Sequence, residues 1–91
     1  FKLLIPTAFS PNGDGVNEIF QPKGFGIVKY ELNIFNRWGE KLFSTSDFNQ
    51  GWDGTKKGKE MSSEGVYVWK IQVTNVFGKS KELTGTVSLL K

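Results

Sequence analysis

The chain has 91 residues with 14% aromatic residues, and it contains neither cysteine nor histidine. This length supports one domain with one hydrophobic core. The composition excludes thiol nucleophiles, Cys/His metal sites and histidine acid/base catalysis, and it leaves the redox compartment open. The net charge of +3 is scattered, and its densest cationic run, Lys56, Lys57 and Lys59, lies among glycines. Such a run is typical of a solvated loop, so we expect no nucleic-acid partner.

The N-terminal segment is strand-like from its first residue. No apolar run approaches the roughly 20 residues that a membrane-spanning helix needs, so we expect no membrane insertion. Residues 1–5 are apolar and end at Pro6, which predicts an edge strand. The absence of a signal peptide before that strand indicates a single domain, 1–91, that belongs to a longer protein.

The densest stretch of polar chemistry is the loop 11–18. It holds one proline, two glycines, two amides and two carboxylates in eight residues, which predicts a tight, oxygen-rich turn. Residues 18–22 alternate polar and apolar side chains and stop at Pro22, so they predict a second short strand.

A β-hairpin is predicted in the middle of the chain. Residues 27–36 alternate strictly, with four apolar side chains on one face: Val28, Tyr30, Leu32 and Ile34. Gly39 can supply the positive φ of a turn, and residues 41–44 return as the partner strand. Phe35 breaks the alternation beside Ile34, which predicts a bulge there.

The region 45–64 is predicted to be a long polar connection with one ordered point. At that point Trp52 is expected to fill the core, and Asp53 to accept hydrogen bonds from the backbone of its own turn.

The C-terminal third predicts the strongest strands. Residues 65–74 are β-branched and aromatic, with apolar side chains on both faces at 66–69, which favours a central strand. After a turn at 75–79, residues 80–90 alternate again and are expected to pair with that strand. No segment has helical periodicity, so the chain predicts an all-β sandwich of about seven short strands.

Five blocks of the sequence occur together in the order of a known family: residues 9–18, 34–39, 52–54, 65–67 and 84–91. Together they resemble the gliding motility-associated C-terminal domain of Bacteroidetes, the type B sorting domain of the type IX secretion system. The turn residues that carry the resemblance are Pro11, Gly13, Gly15, Arg37, Trp38, Gly39, Trp52, Asp53 and Gly54. The chain departs from the family pattern at Glu18, where aspartate is usual, and at Lys91, where arginine is commoner.

The resemblance implies an immunoglobulin-like antiparallel β-sandwich with no enzymatic activity. It implies a C-terminal signal that sorts an upstream cargo through the outer membrane to the cell surface or the medium, after export through the periplasm. The implied partners are the outer-membrane type IX translocon, a PorP/SprF-type membrane protein and the fused N-terminal cargo. The implied signal strand comprises Thr84, Gly85, Thr86, Val87, Ser88, Leu89, Leu90 and Lys91, which is a strand of the fold and also a segment that a translocon can read.

The loop 11–18 also raises the hypothesis of a calcium site. Its oxygen donors, placed on an EF-hand spacing that ends at Gln21, are Ser10, Asn12, Asp14 and the carbonyl of Val16, with Asn17 and Glu18 as further donors. One or two carboxylates would give binding toward the millimolar range. The alternative is a structural turn without metal. Calorimetry with calcium distinguishes the two.

Three aromatic residues raise the main alternative function. Trp38 is expected to pack over the hairpin with Arg37 across its face, because turn aromatics usually cap a sandwich end; the alternative is an exposed platform for a partner or a sugar ring. A carbohydrate-binding or adhesive module would use Trp38, Trp52 and Tyr67 together. The carboxylates Asp14, Asp53 and Glu64 lie in turns with no evident pocket, so we expect no catalysis.

Overall fold

The computed structural model describes residues 2–11, 13, 18–56 and 60–90, and this part of the chain contains strands and no helix. Its nine strands are β1 (Lys2–Leu4), β2 (Ala8–Phe9), β3 (Lys23–Phe25), β4 (Ile27–Phe35), β5 (Lys41–Thr45), β6 (Thr55–Lys56), β7 (Glu60–Met61), β8 (Gly65–Asn75) and β9 (Ser80–Leu89). The all-β prediction is confirmed. Among the described residues, no helix has the length and apolar character that crossing a bilayer requires.

The main sheet has five strands in the order β2-β9-β8-β4-β5. Strand β8 lies at its centre and pairs antiparallel with β4 and with β9 along nearly its whole length, as the apolar sequence of 65–74 predicted. Two short antiparallel pairs, β1-β3 and β6-β7, complete the fold. One pair, β2-β9, runs parallel. In this pair, Ala8 and Phe9 of β2 lie beside the end of the last strand.

The structure corrects the predicted strands in the first half of the chain. Residues 18–22 do not form a strand: Phe20 makes only an isolated bridge to Trp52, with mutual backbone hydrogen bonds of 2.8 and 2.9 Å. Strands β2 and β3 were not predicted, since two or three residues cannot show a period. The connection 45–64 is also less irregular than predicted, because it contains β6 and β7.

Strand β4 has two irregularities in its pairing, and one of them explains the position of a side chain. The bulge predicted near Phe35 is confirmed by a register shift between Ile34 and Phe35 in the β4-β5 pair. A second shift lies between Ile27 and Lys29 in the β4-β8 pair. Val28 is therefore not on the inner face with Tyr30, as its alternation predicted, and is 58% exposed.

The core lies on the inner face of the main sheet and is rich in aromatic rings. Its buried members are Phe9, Phe20, Tyr30, Leu32, Ile34, Leu42, Trp52, Tyr67, Trp69, Ile71, Val73, Val87 and Leu89. The ring of Trp52 lies 5.3 Å from that of Phe9 and 5.1 Å from that of Tyr67, centroid to centroid. Val66 lies on the outer face of β8 and is exposed. The apolar residues at 66–69 are therefore not buried on both faces of this strand.

Two contacts fix the central strands of the sandwich. The Tyr67 hydroxyl donates to the Ser63 carbonyl at 2.5 Å, the return to upstream backbone known as a tyrosine corner in immunoglobulin-type sandwiches. Trp69 lies across Gly85, its partner in β9, and its indole N–H donates to the Thr86 carbonyl at 3.2 Å. Gly85 leaves the space that this indole fills.

Tyr30 carries a buried hydroxyl with no hydrogen-bond partner in the described part of the chain. Its ring packs edge-on against Phe48 at 5.0 Å, and burial raises the pKa of the Tyr30 hydroxyl. Because the folded state then holds this proton more tightly than the unfolded chain, stability falls as the pH rises above about 10, the ordinary tyrosine pKa.

The variant Tyr30→Phe is therefore expected to keep or raise the free energy of unfolding at pH 7, since an unpaired buried hydroxyl costs about 1–3 kcal/mol. It is also expected to remove part of the loss of stability above pH 10. Denaturant unfolding at pH 7 and at about pH 10.5 measures both effects. The matched control is Tyr67→Phe, which loses the bond to Ser63 and should cost about 1 kcal/mol at pH 7. An unchanged alkaline dependence in Tyr30→Phe would contradict the prediction.

Candidate recognition surface

The turn between β4 and β5 is closed by an asparagine side chain. The Asn36 side-chain oxygen accepts hydrogen bonds from the backbone amides of Trp38 and Glu40, both at 2.9 Å. The Gly39 amide donates to the Asn36 carbonyl at 3.0 Å, and Gly39 has a φ of +86°, which favours glycine. The conformation of this turn is thus set by its own backbone and by Asn36.

Trp38 projects from this turn and is 77% exposed. The expectation that it packs over the hairpin is wrong, because the end of the sandwich is filled by Trp52 instead. The Arg37 guanidinium does lie over the Trp38 ring, at 4.4 Å from its centroid. The two side chains form an exposed cation–π pair on a fixed turn.

The Trp52 segment has the structure that its sequence predicted. Trp52 is fully buried, and its indole N–H donates to the Thr55 carbonyl at 2.9 Å. The Asp53 carboxylate accepts hydrogen bonds from the Thr55 amide at 3.0 Å and from the Thr55 hydroxyl at 2.5 Å. Asp53 is therefore engaged in its own turn.

Gly54 lies where several of the segments that carry the resemblance meet. A Cβ atom on this residue would lie 3.2 Å from side-chain atoms of Pro11, Met61 and Leu89. Its φ of +89° is a second reason for glycine at this position. The loop that starts at Pro11, the Trp52 segment and the end of β9 are consequently packed at one end of the sheet.

The Trp38 turn lies at this same end. Phe35, just before the turn, pairs with Val68 of β8, and Gly65 at the start of β8 pairs with Leu89 of β9. We call this end of the sheet the Trp38 end. Its charges are mixed, with Arg37 in the turn and an ion pair between Lys56 and Glu40.

The end of β9 has both a structural and an exposed part. Leu89 is fully buried, and the backbone amides of Ser88 and Leu90 donate to the Thr7 and Phe9 carbonyls, each at 2.9 Å. The side chain of Leu90 is exposed. Lys91 lies outside the described residues.

The loop 11–18 is described only in part. The backbone amide of Gly13, whose φ is +84°, donates to the Glu18 carboxylate. Asn12, Asp14, Gly15, Val16 and Asn17 lie outside the described residues, and so do Lys57 and Lys59 of the cationic run. The calcium site with Ser10 and Glu18 stays a prediction.

A family model matches almost the whole chain. Its description is CHU_C Type IX secretion signal domain, and the match covers residues 3–89. The chain belongs to the type IX secretion signal domains. No curated protein matched the chain. The resemblance drawn from the sequence blocks is confirmed, and the domain is a sorting signal for export by the type IX secretion system to the cell surface or beyond.

The geometry of this secretion signal domain does not provide the platform that an adhesive or carbohydrate-binding module would use. Of its three proposed rings, Trp52 and Tyr67 are buried in the core, and only Trp38 is exposed. The ring of Trp52 packs edge-on against that of Tyr67 and tilted against that of Phe9, because large apolar groups fill the inner face of the sheet there. The prediction that these three rings form one binding platform is therefore wrong.

The sequence predicted a turn at 75–79 in this signal domain but missed its likeness to the turn that carries Trp38. Residues 75–79 form a second turn of the same design, in which the Asn75 side-chain oxygen accepts from the amides of Phe77 and Lys79 at 2.9 and 3.0 Å. Gly78 has a φ of +81°. The shared pattern of asparagine, any residue, aromatic residue and glycine, at 36–39 and at 75–78, is a signal that could have found it.

Proposed function

We propose that the type IX machinery reads this signal at the Trp38 end, and that the reader is the outer-membrane translocon with a PorP/SprF-type membrane protein. The observation that carries the proposal is the exposure of Trp38 on a turn held by Asn36. A tryptophan with an adjacent arginine is a frequent centre of binding energy at protein interfaces. Since the turn is already ordered, little conformational entropy is lost on binding.

The surroundings of Trp38 support recognition by a protein. A groove beside the turn is lined by Met61 and Val66, which are both exposed and apolar. The exposed Leu90 lies at the same end of the sheet, next to the last hydrogen bonds of β9. A partner can therefore contact the turn and the C-terminal segment at once.

The proposal also covers the kind of bacterium and the route of the cargo. The domain acts without enzymatic activity, as a sorting domain of Bacteroidetes associated with gliding motility. Its cargo is fused upstream, passes through the periplasm and is then carried across the outer membrane. The calcium site of loop 11–18 would stabilise the Trp38 end without being required for export.

The test is export of a fluorescent cargo fused to this domain in a bacterium with an active type IX system. Trp38→Ala is expected to reduce export at least about tenfold, because loss of one central interface residue costs 2 kcal/mol or more. Leu4→Ala is the control, since Leu4 is an exposed apolar residue of β1 outside the Trp38 turn and its groove, and its export should stay within about twofold. Normal export of Trp38→Ala would contradict the proposal.

The C-terminal strand needs a different variant. Deleting Ser88 to Lys91 would remove buried Leu89 and two backbone hydrogen bonds, so lost export could reflect lost folding. Leu90→Ser changes an exposed side chain and keeps the core. Leu90→Ser is expected to reduce export while its melting temperature stays equal to that of the wild type. Export of the fusion from a strain that lacks the type IX components would contradict the proposed route.

A further inference from the structure

We infer that the opposite end of the sheet is a peripheral docking surface for an anionic lipid bilayer. We call it the basic–apolar end. It comprises Lys2, Phe25, Val28, Lys29, Val76, Phe77, Lys79 and Lys81. This inference rests on surface residues that the export signal proposed above does not use.

The strand pairing brings these residues to one end. Ile27 at the start of β4 pairs with Asn75 at the end of β8, directly before Val76. Phe25 precedes that start by two residues and pairs with Lys2 of β1. Three segments that are distant in sequence therefore meet around the 75–79 turn.

The apolar side chains at this end are exposed to an unusual degree. Phe25 is 70% exposed, Val76 63% and Phe77 85%, while Val28 is turned outward by the bulge in β4. The hydrogen bonds of Asn75 hold Phe77 at the tip of an ordered turn. A cluster of exposed apolar residues on ordered backbone marks an interaction site rather than a frayed loop.

The charges around the cluster have one sign. Residues 23–29 and 73–81 include Lys29, Lys79 and Lys81 and contain no carboxylate. The nearest carboxylates of β4 and β9, Glu31 and Glu82, lie in the next row of the sheet. Each accepts a hydrogen bond from a neutral amide side chain, Asn33 at 3.0 Å and Gln72 at 3.1 Å respectively.

One more carboxylate lies toward this end, at Asp47 after β5. It accepts the Asn49 amide at 2.9 Å and closes its own turn. Exposed lysines therefore surround the apolar tip, whereas the Trp38 end has mixed charges that include the Lys56–Glu40 pair. The complement of the basic–apolar end is a negatively charged surface.

A bilayer fits this arrangement better than an acidic protein does. Phe77 protrudes, so a protein partner would need a matching cavity, whereas a bilayer interface accepts a protruding apolar group at the depth of its headgroups. Long lysine side chains can then reach the phosphates around it. Each lysine near an anionic membrane contributes about fivefold to binding, and salt weakens this contribution.

The test is co-sedimentation of the 91-residue chain with vesicles of phosphatidylglycerol and phosphatidylcholine, compared with pure phosphatidylcholine. We expect binding that needs phosphatidylglycerol and weakens with salt. The double variant Lys79→Glu/Lys81→Glu should bind at least about 25-fold more weakly, and Phe77→Ala should also bind more weakly. The matched control, Lys41→Glu/Lys70→Glu, has the same net charge and should keep most of the binding.

Several results would overturn the inference. One is the absence of binding to phosphatidylglycerol vesicles by a chain that melts normally. Another is an equal loss in both double variants, which would show that only net charge matters. Binding to soluble polyglutamate but not to vesicles would indicate an acidic protein, and a dimer in sedimentation that Phe77→Ala abolishes would indicate a second copy of the chain.

Discussion

Trp52→Ala is expected to lower the free energy of unfolding by about 3–5 kcal/mol, the usual cost of deleting a large aromatic side chain from a core. Trp52 is fully buried, and its ring contacts Phe9 and Tyr67. The variant also loses the indole hydrogen bond to Thr55. Because small domains are stable by about 5–15 kcal/mol, much of the variant can be unfolded at 37 °C. Urea unfolding followed by circular dichroism measures the change.

Trp38→Ala is the matched control for this experiment. It removes the same side chain from an exposed position, and it should change the free energy of unfolding by less than about 0.5 kcal/mol. Similar losses in the two variants would contradict the assignment of Trp52 to the core and Trp38 to the surface.

Gly85→Ala is expected to lower the free energy of unfolding by about 1–3 kcal/mol, the cost of overpacking a core. A Cβ atom on Gly85 would meet Trp69 Cζ2 and lie 2.8 Å from Trp69 Cε2. Trp69 is buried and its indole N–H donates to the Thr86 carbonyl, so moving the ring away disturbs its packing and that bond. At an open strand position the same change would stabilise the protein by roughly 0.5–1 kcal/mol.

The sign of the change therefore tests the packing. Thr84→Ala is the control on the same strand, because its side chain is exposed and should matter by less than about 1 kcal/mol. An unchanged or higher melting temperature for Gly85→Ala would show that Trp69 does not rest on Gly85.

The two ends of the sheet differ in ways that suit two different contacts. The Trp38 end holds the turns at 36–39 and 52–54 and the end of the last strand, and Pro11 and Leu89 lie against Gly54 there. The basic–apolar end carries none of the family's turn residues and presents Phe77 among lysines. Because the ends are separated by the length of β8, one can contact the secretion machinery while the other lies on a membrane.

The long strands could be predicted from the sequence because period two is a local property. Residues 27–36, 65–74 and 80–90 each bury alternate side chains against one core, and this requirement is written into neighbouring residues. The bulge at Phe35 and the side-chain bonds of Asp53 are local in the same sense. The short strands β2 and β3 could not be predicted, since their pairing depends on residues far away in the chain.

The clearest limit concerns the two turn tryptophans. Trp38 and Trp52 each lie close to a glycine in a polar turn, so local sequence predicted the burial of both. Only the tertiary packing distinguishes them. The backbone bridge between Phe20 and Trp52 places the Trp52 ring against Phe9. The other turn is closed by the Asn36 side chain, and the Trp38 ring takes no part in it. The family could be identified from blocks of sequence. Which of the two tryptophan rings is exposed depends on which one packs in the core, and only the tertiary structure decides that.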